Sequence, residues 1–246
     1  VRYPEILNSD EEINFIKNAK PDVVVVVAYG KIIPTEMLNL KNIKFINIHA
    51  SLLPKWRGAA PIQRSIMNQD IETGISIMRI VPKLDSGPIL MKSKVSISKD
   101  TNSEKLSKTL SNLGSTMIIK SLSLIENGRD DFVEQNENEA TYAKKINKSE
   151  AKINWQESAE KNIAKINALY PSPGTWFYFK GSRLKIIKAI EVNKSGKPGE
   201  VLDEKFTIAC SKNAIQILEL QKEGKKRANI EEFLKGNTIK IGFNVR

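Results

Sequence analysis

Cysteine occurs once in these 246 residues, at Cys210. A single thiol closes no intrachain disulfide and builds no cysteine-based zinc site, so no metal is expected and a reducing cytoplasm is the expected location. Histidine also occurs once, at His49. Proton chemistry near neutral pH that needs an imidazole therefore has one candidate. Long apolar runs are missing as well. The longest, Val23 to Ala28, has the length of a strand and not of a membrane span, and no signal-peptide pattern is present. No initiator methionine opens the chain, which starts at Val1. With 40% apolar and 7% aromatic residues, the composition is that of a globular protein of one large domain or two modest ones.

Acids are scarce in one part only. The formal net charge is +11. Residues 1–143 hold 18 Lys and Arg against 17 Asp and Glu, whereas residues 144–246 hold 21 against 11. The basic excess belongs to the C-terminal part, which suits a polyanionic partner there, nucleic acid first. The plain alternative is a solvated, lysine-rich surface.

Apolar periodicity predicts the elements. Ile13, Phe15, Ile16 and Ala19 have helical spacing over Asp10–Lys20. Val23–Ala28 is continuous and β-branched, which predicts a parallel strand buried on both faces. A short helix is expected at Thr35–Asn39, a strand at Phe45–Ile48, and a helix at Ala59–Asn68 with Pro61 in its first turn. Strands at Thr73–Val81 and Pro88–Ile97 precede a long amphipathic helix at Asn102–Glu126, capped by Thr101 or Ser103. This alternation predicts an α/β fold with a Rossmann-like, mostly parallel sheet. The texture changes after Asn127. Residues 130–139 hold five acids and few apolar groups, as linkers do. A helix at Ser158–Leu169 follows. Short strand-like runs come next, at Trp176–Phe179, Arg183–Ile190, Gly199–Asp203, Thr207–Cys210 and Ile215–Leu220, then a helical turn at Glu231–Lys235. They predict a small barrel.

The site is expected at one strand end. Asn47 and His49 are two apart and point to the same side of their strand. In open α/β sheets the ligand crevice lies at the strands' carboxyl ends. Asp85, in Leu84-Asp85-Ser86-Gly87-Pro88, follows the next long strand. Alone it is ordinary turn chemistry, but at the same end of the sheet it could orient the imidazole. Asn47 can donate an amide N–H to a developing oxyanion. Asn, His and Asp together suit acyl transfer to an amine that is itself the nucleophile. Ser51 has no Gly-X-Ser-X-Gly elbow around it, and none is required.

The run Asn47-Ile48-His49-Ala50-Ser51-Leu52-Leu53-Pro54-Lys55-Trp56-Arg57-Gly58-Ala59-Ala60-Pro61-Ile62-Gln63-Arg64 closely resembles the signature of the methionyl-tRNA formyltransferase family. So do Glu72-Thr73-Gly74-Ile75, Leu84-Asp85-Ser86-Gly87-Pro88, Thr141-Tyr142-Ala143-Lys144-Lys145 and Tyr170-Pro171-Ser172-Pro173-Gly174-Thr175-Trp176. The resemblance runs the length of the chain. It implies a formyltransferase catalytic domain at 1–127, a linker at 128–148 and an OB-like β-barrel at 149–246 that binds tRNA. It implies 10-formyltetrahydrofolate as donor, the α-amine of initiator methionyl-tRNA as acceptor, no membrane partner, and a monomer. By the same resemblance Asn47 would hold the formyl oxyanion, His49 would stabilise it or shuttle the proton, and Asp85 would orient His49. Ser51, Leu52, Leu53 and Pro54 would contact folate. Arg57, Lys144, Lys145, Lys148, Lys152, Lys225, Lys226 and Arg227 would meet tRNA, with Arg57 alternatively meeting folate or bracing its loop. The family pattern opens with two strands, a helix and a basic loop that this chain does not contain, so an open sheet edge or face and a reduced folate pocket are expected. Two alternatives stay open: a formyltransferase acting on glycinamide ribonucleotide or a sugar nucleotide, and a tRNA-binding protein without catalysis.

Overall fold

The computed structural model describes residues 2–245. In chain order the first elements are α1 (Asp10–Ala19), β1 (Val23–Val27), α2 (Thr35–Leu38), β2 (Lys44–His49), β3 (Arg57–Gly58), α3 (Pro61–Met67), β4 (Glu72–Arg79), β5 (Ile89–Ser96) and α4 (Ser103–Glu126). Then come β6 (Tyr142–Ala143), α5 (Ala159–Leu169), β7 (Thr175–Phe179), β8 (Ser182–Val192), β9 (Thr207–Ala209), β10 (Ala214–Lys222), β11 (Arg227–Asn229) and α6 (Ile230–Lys235). They fall into two units. The first runs to Pro61 and takes in Glu72–Ser96 and Lys108–Lys145; the second comprises Ile62–Ile71, Ile97–Ser107 and the chain from Ile146 on.

The first unit is α/β, built on a sheet ordered β1-β2-β4-β5. β1 and β2 pair in parallel, with Val26 opposite Asn47. The β2–β4 and β4–β5 pairs are antiparallel, and His49 lies opposite Ser76. β4 is buried from Thr73 through Met78, so both its faces are covered. β1 differs from the expectation of a strand buried on both faces. Val25 is 38% exposed and Val27 58%. Val25 and Val27, two apart, share one face of the strand, and that face is open to solvent; among the described residues β1 is also the terminal strand of its sheet. The cap of α4 is also corrected. Asn102 Oδ1, not Thr101 or Ser103, accepts from Lys105 N at 2.9 Å. Thr101 instead accepts from Ser98 N, and Ser103 donates to the Ala168 carbonyl.

The stretch expected as a linker carries structure of its own. Val133 exchanges backbone hydrogen bonds with Ile89 at 2.8 and 2.9 Å. Tyr142 and Ala143 form β6, parallel to β3.

The second unit is an antiparallel sheet ordered β11-β10-β8-β7, with β9 also pairing β10. Period-two alternation explains its core. Phe177, Phe179, Leu184, Ile186, Ile217 and Leu220 point inward and are essentially inaccessible. Phe206 is the hub: its ring lies 5.1 Å from Phe179, 6.0 Å from Phe177 and 6.1 Å from Phe233. Ser158 caps α5, its hydroxyl accepting from Lys161 N. Of Gly199–Asp203, expected as a strand, only isolated bridges form, Glu200 to Asn244 and Val201 to Ile208.

Candidate active site

β2 ends at His49, and the chain then turns into a loop that folds back over it. His49 is 5% exposed. Its Nε2 lies 2.9 Å from the Trp56 carbonyl oxygen. A carbonyl only accepts, so Nε2 carries the proton in that contact. Nδ1 is left facing Asp85 Oδ2 at 3.7 Å, which is ion-pair distance and longer than a hydrogen bond. The neutral ring therefore presents a free lone pair beside a carboxylate. That nitrogen can take a proton, and the carboxylate stabilises the resulting imidazolium.

Asp85 is held from two directions. Gly58 N donates to its Oδ2 at 2.8 Å. Its own backbone sits at φ +44°, in the left-handed region that few side chains adopt. Gln135 secures that conformation, donating through Nε2 to Asp85 O at 2.9 Å and to Gly87 O at 2.7 Å. Gly58 has φ +114°, and a Cβ there would lie 2.9 Å from Ala143 O. Glycine is needed at that position for the loop to lie against β6 and present its N–H to the carboxylate.

Arg57 is fully buried. Its guanidinium donates to Gln135 Oε1 at 2.8 and 3.0 Å, and to Glu137 at 2.8 and 3.1 Å. Lys83 Nζ reaches the same Glu137 at 2.6 Å. The two cations hold the Glu137 carboxyl down at about 2, hydrogen bonds from Arg57 contributing most. Of the readings left open for Arg57, contact with tRNA or folate and bracing of its loop, the geometry favours bracing: the guanidinium has no solvent face and its donors are committed to Gln135, which holds the Asp85 turn, and to Glu137. Gln135 escaped sequence analysis because nothing local marks it; its partners lie 48 to 78 residues away.

Asn47, two residues before His49 on β2, is half-buried and its amide has no hydrogen bond to protein among the described residues. It is free to serve a ligand. The loop after His49 is clamped. Ser51 is buried and donates to Lys55 O, and Ser76 Oγ bonds both Ser51 O at 2.7 Å and Leu53 N at 3.1 Å. Lys92 Nζ donates to Leu53 O at 3.1 Å. Leu53 packs with Met78 and Ile89. Of the four residues expected at folate, Ser51 and Leu53 serve the loop, while Leu52 and Pro54 keep partly exposed apolar surface. Lys144, Lys145, Lys148, Lys152, Lys225, Lys226 and Arg227 are all exposed. No group of His, Cys, Asp and Glu able to hold a metal ion occurs among the described residues, and none of their helices is long and apolar enough to cross a membrane.

The chain matches the Formyl transferase family over residues 4–122 and the Formyl transferase, C-terminal domain family over residues 145–238. It is 51% identical to the methionyl-tRNA formyltransferase of Pelagibacter ubique (strain HTCC1062), covering 99% of this chain and 79% of that protein. It is 40% identical to the enzyme of the same name from Rickettsia prowazekii (strain Madrid E), covering 96% and 78%. Among solved structures, HypX from Aquifex aeolicus in complex with tetrahydrofolic acid is similar with a TM-score of 0.70 at 19% identity, over 90% of this chain. This chain spans only 40% of the HypX chain. The sugar 3N-formyl transferase WlaRD is similar with a TM-score of 0.66 at 24% identity, over 83% of this chain and 73% of that one.

Proposed function

The chain belongs to the methionyl-tRNA formyltransferase family, and on that premise we propose that it transfers a formyl group from 10-formyltetrahydrofolate to the α-amine of methionine on initiator tRNA, in support of translation initiation. The observation that carries the reading is the state of His49: Nε2 is tied to a carbonyl, and Nδ1 is open toward Asp85.

The chemistry follows from that arrangement. The amine lone pair forms a C–N bond to the formyl carbon, and the carbonyl electrons move to oxygen. The unpartnered Asn47 amide donates to that oxyanion. His49 Nδ1 accepts the proton the amine must lose, and Asp85 stabilises the charged ring. When the oxyanion collapses, the bond to the donor nitrogen breaks and that nitrogen takes up the proton. One proton and one formyl group have then changed places. The residues fit a folate donor: Leu52 and Pro54 offer apolar surface for a flat ring, and Asn47 offers an unused donor. Lys144, Lys145, Lys148, Lys152, Lys225, Lys226 and Arg227 are proposed to hold tRNA phosphates. Residues 149–246 are proposed as the tRNA-binding domain.

The test offers the protein labelled 10-formyltetrahydrofolate with charged initiator tRNA and glycinamide ribonucleotide together. Label is expected on methionine, and His49→Ala or Asp85→Ala is expected to cut its rate by about 10²–10⁴-fold with little change in tRNA affinity. Preferential labelling of the ribonucleotide would overturn the assignment.

A further inference from the structure

In the run Thr141-Tyr142-Ala143-Lys144-Lys145, Thr141 lies against the loop that folds back over His49, 85 residues from Trp56 in the chain. Both segments belong to the first unit. Three hydrogen bonds join Thr141 to the loop. Its N donates to Pro54 O at 3.2 Å, its O accepts from Arg57 N at 2.9 Å, and its Oγ1 accepts from Trp56 N at 2.9 Å. The two backbone bonds survive any substitution; the hydroxyl is the one link a side chain supplies.

These bonds fix two successive peptide planes. In a trans peptide the C=O and the N–H of one plane point in opposite directions, and both peptides flanking Trp56 are trans. The plane between Lys55 and Trp56 is held at both edges: Lys55 O accepts from the buried Ser51 hydroxyl, and Trp56 N donates to Thr141 Oγ1. The plane between Trp56 and Arg57 is held in the same way. Arg57 N points at Thr141 O, so Trp56 O points the other way, at His49 Nε2, 2.9 Å distant. Trp56, between the two planes, is thereby kept at φ +62°. A bulky residue seldom adopts that left-handed conformation and keeps it only where its surroundings impose it.

A neutral imidazole has one proton for two nitrogens, and the partners of the ring decide which nitrogen carries it. Two acceptors compete for that proton here, Trp56 O at Nε2 and the Asp85 carboxylate at Nδ1. The carboxylate is the stronger acceptor by its charge, but it stands at 3.7 Å against 2.9 Å for the carbonyl. With Trp56 O turned away, the proton would pass to Nδ1, facing Asp85, and the nitrogen that has to accept would be blocked. We propose that the Thr141 hydroxyl, by holding Trp56 in its left-handed conformation, selects the Nε2–H tautomer of His49 and so keeps Nδ1 open for the amine proton. Thr141 is a positioning residue, acting on His49 through Trp56. The proposal rests on the formyl-transfer reading in that His49 Nδ1 is the proton acceptor.

The experiment reads the tautomer from long-range ¹H–¹⁵N correlations of His49 in the full chain, at a pH where the ring is neutral, and takes kcat and KM for formyl transfer to charged initiator tRNA from the same proteins. Thr141→Val keeps the side-chain shape and loses the acceptor, whereas Thr141→Ser keeps the acceptor. Thr141→Val is expected to move the ring toward Nδ1–H and to cut kcat by about 10- to 100-fold, with KM for folate and tRNA little changed. Thr141→Ser is expected to keep the wild-type tautomer and rate. Thr141 is exposed, so neither change empties a core, and Thr141→Ala repeats the test without a β-branched side chain. Nε2–H retained in Thr141→Val and Thr141→Ala overturns the proposal whatever their rates, because any loss would then come from a loosened loop. Nδ1–H in the wild type, or in Thr141→Ser, overturns it as well, since the hydroxyl would not be what selects the tautomer. Nδ1–H in Thr141→Val with Nε2–H in Thr141→Ser, in a protein that formylates no tRNA, supports the selection by Thr141 and removes the formyl-transfer reading.

Discussion

His49 is informative because it is single. Its ring nitrogens give one set of long-range ¹H–¹⁵N correlations, with no second histidine to confuse assignment. The Trp56 carbonyl demands a donor at Nε2, so the neutral ring is expected as the Nε2–H tautomer. A spectrum showing Nδ1–H instead would remove His49 Nδ1 as the proton acceptor. Gln135 provides a second residue-level test. Its Nε2 serves two carbonyls of the Asp85 turn, while its Oε1 serves Arg57. Gln135→Glu keeps the acceptor for Arg57 and turns the donor into a second acceptor facing two carbonyls. The turn should loosen and Asp85 should drift from His49. A misplacement of that kind costs about 10- to 100-fold in kcat, with KM for folate and tRNA little changed. Unaltered kcat would mean the φ +44° conformation of Asp85 holds without Gln135. Asn47, His49 and Asp85 stand out as candidates in the sequence because residue chemistry, strand period and family signature agree on them, and the fold brings His49 and Asp85 to 3.7 Å. For Arg57 the sequence left contact with tRNA or folate and bracing of its loop open, because an arginine in a loop can do either until its burial is known.

At the scale of elements, the segment after α4 changes character. Its acids lowered its apolar fraction and gave it the texture of a linker. Two of them are spent on cations from distant elements: Glu137 on Arg57 and Lys83, and Asp130 on Lys44. This has a pH signature. The Glu137 carboxyl lies at about 2 in the fold against an ordinary 4.5. A carboxylate whose pKa is depressed by folding contributes stability above its unfolded value and loses it as pH falls through the folded one. The wild-type unfolding midpoint should therefore drop more steeply between pH 4.5 and 2 than that of Glu137→Gln, with the two curves closing on each other toward pH 2. Parallel curves across that window would show that the pair adds nothing to stability. Glu137 is half-exposed, so added salt should shrink the difference. α1, α4 and α5 were legible because each spans more than two turns with a clear 3.6-residue period, and α3, just under two turns, because Pro61 marks its first turn. β3 and β6 were not: each is two residues long, too short for any period, and they meet across about 85 residues of chain. β1 was legible as a strand but not in its burial, since a valine run reports β propensity and not how many neighbours the strand has.

For the molecule as a whole, charge is the property that composition reports most directly, and the two parts of the chain differ in it. Residues 1–143 are nearly neutral and residues 144–246 carry the excess. An exposed lysine that merely keeps a surface solvated releases no counterion when RNA binds. One that meets a phosphate does, and each such contact adds about 0.9 to the slope of log K against log salt on a duplex. Lys225 and Lys226 lie in the turn before β11 and are exposed. If both meet tRNA, Lys225→Gln with Lys226→Gln should lower the slope by roughly 1.8 and weaken all tRNAs alike, since phosphate contacts carry no sequence information. Lys17 and Lys20, equally exposed at the end of α1, are the control: their replacement should leave the slope as it was. A slope that falls equally with either pair would mean that net charge alone draws tRNA to this protein. A slope that falls only with Lys225 and Lys226 would mean that the charge asymmetry written in the sequence marks a place on the surface, which is what a binding domain requires and a basic composition alone does not.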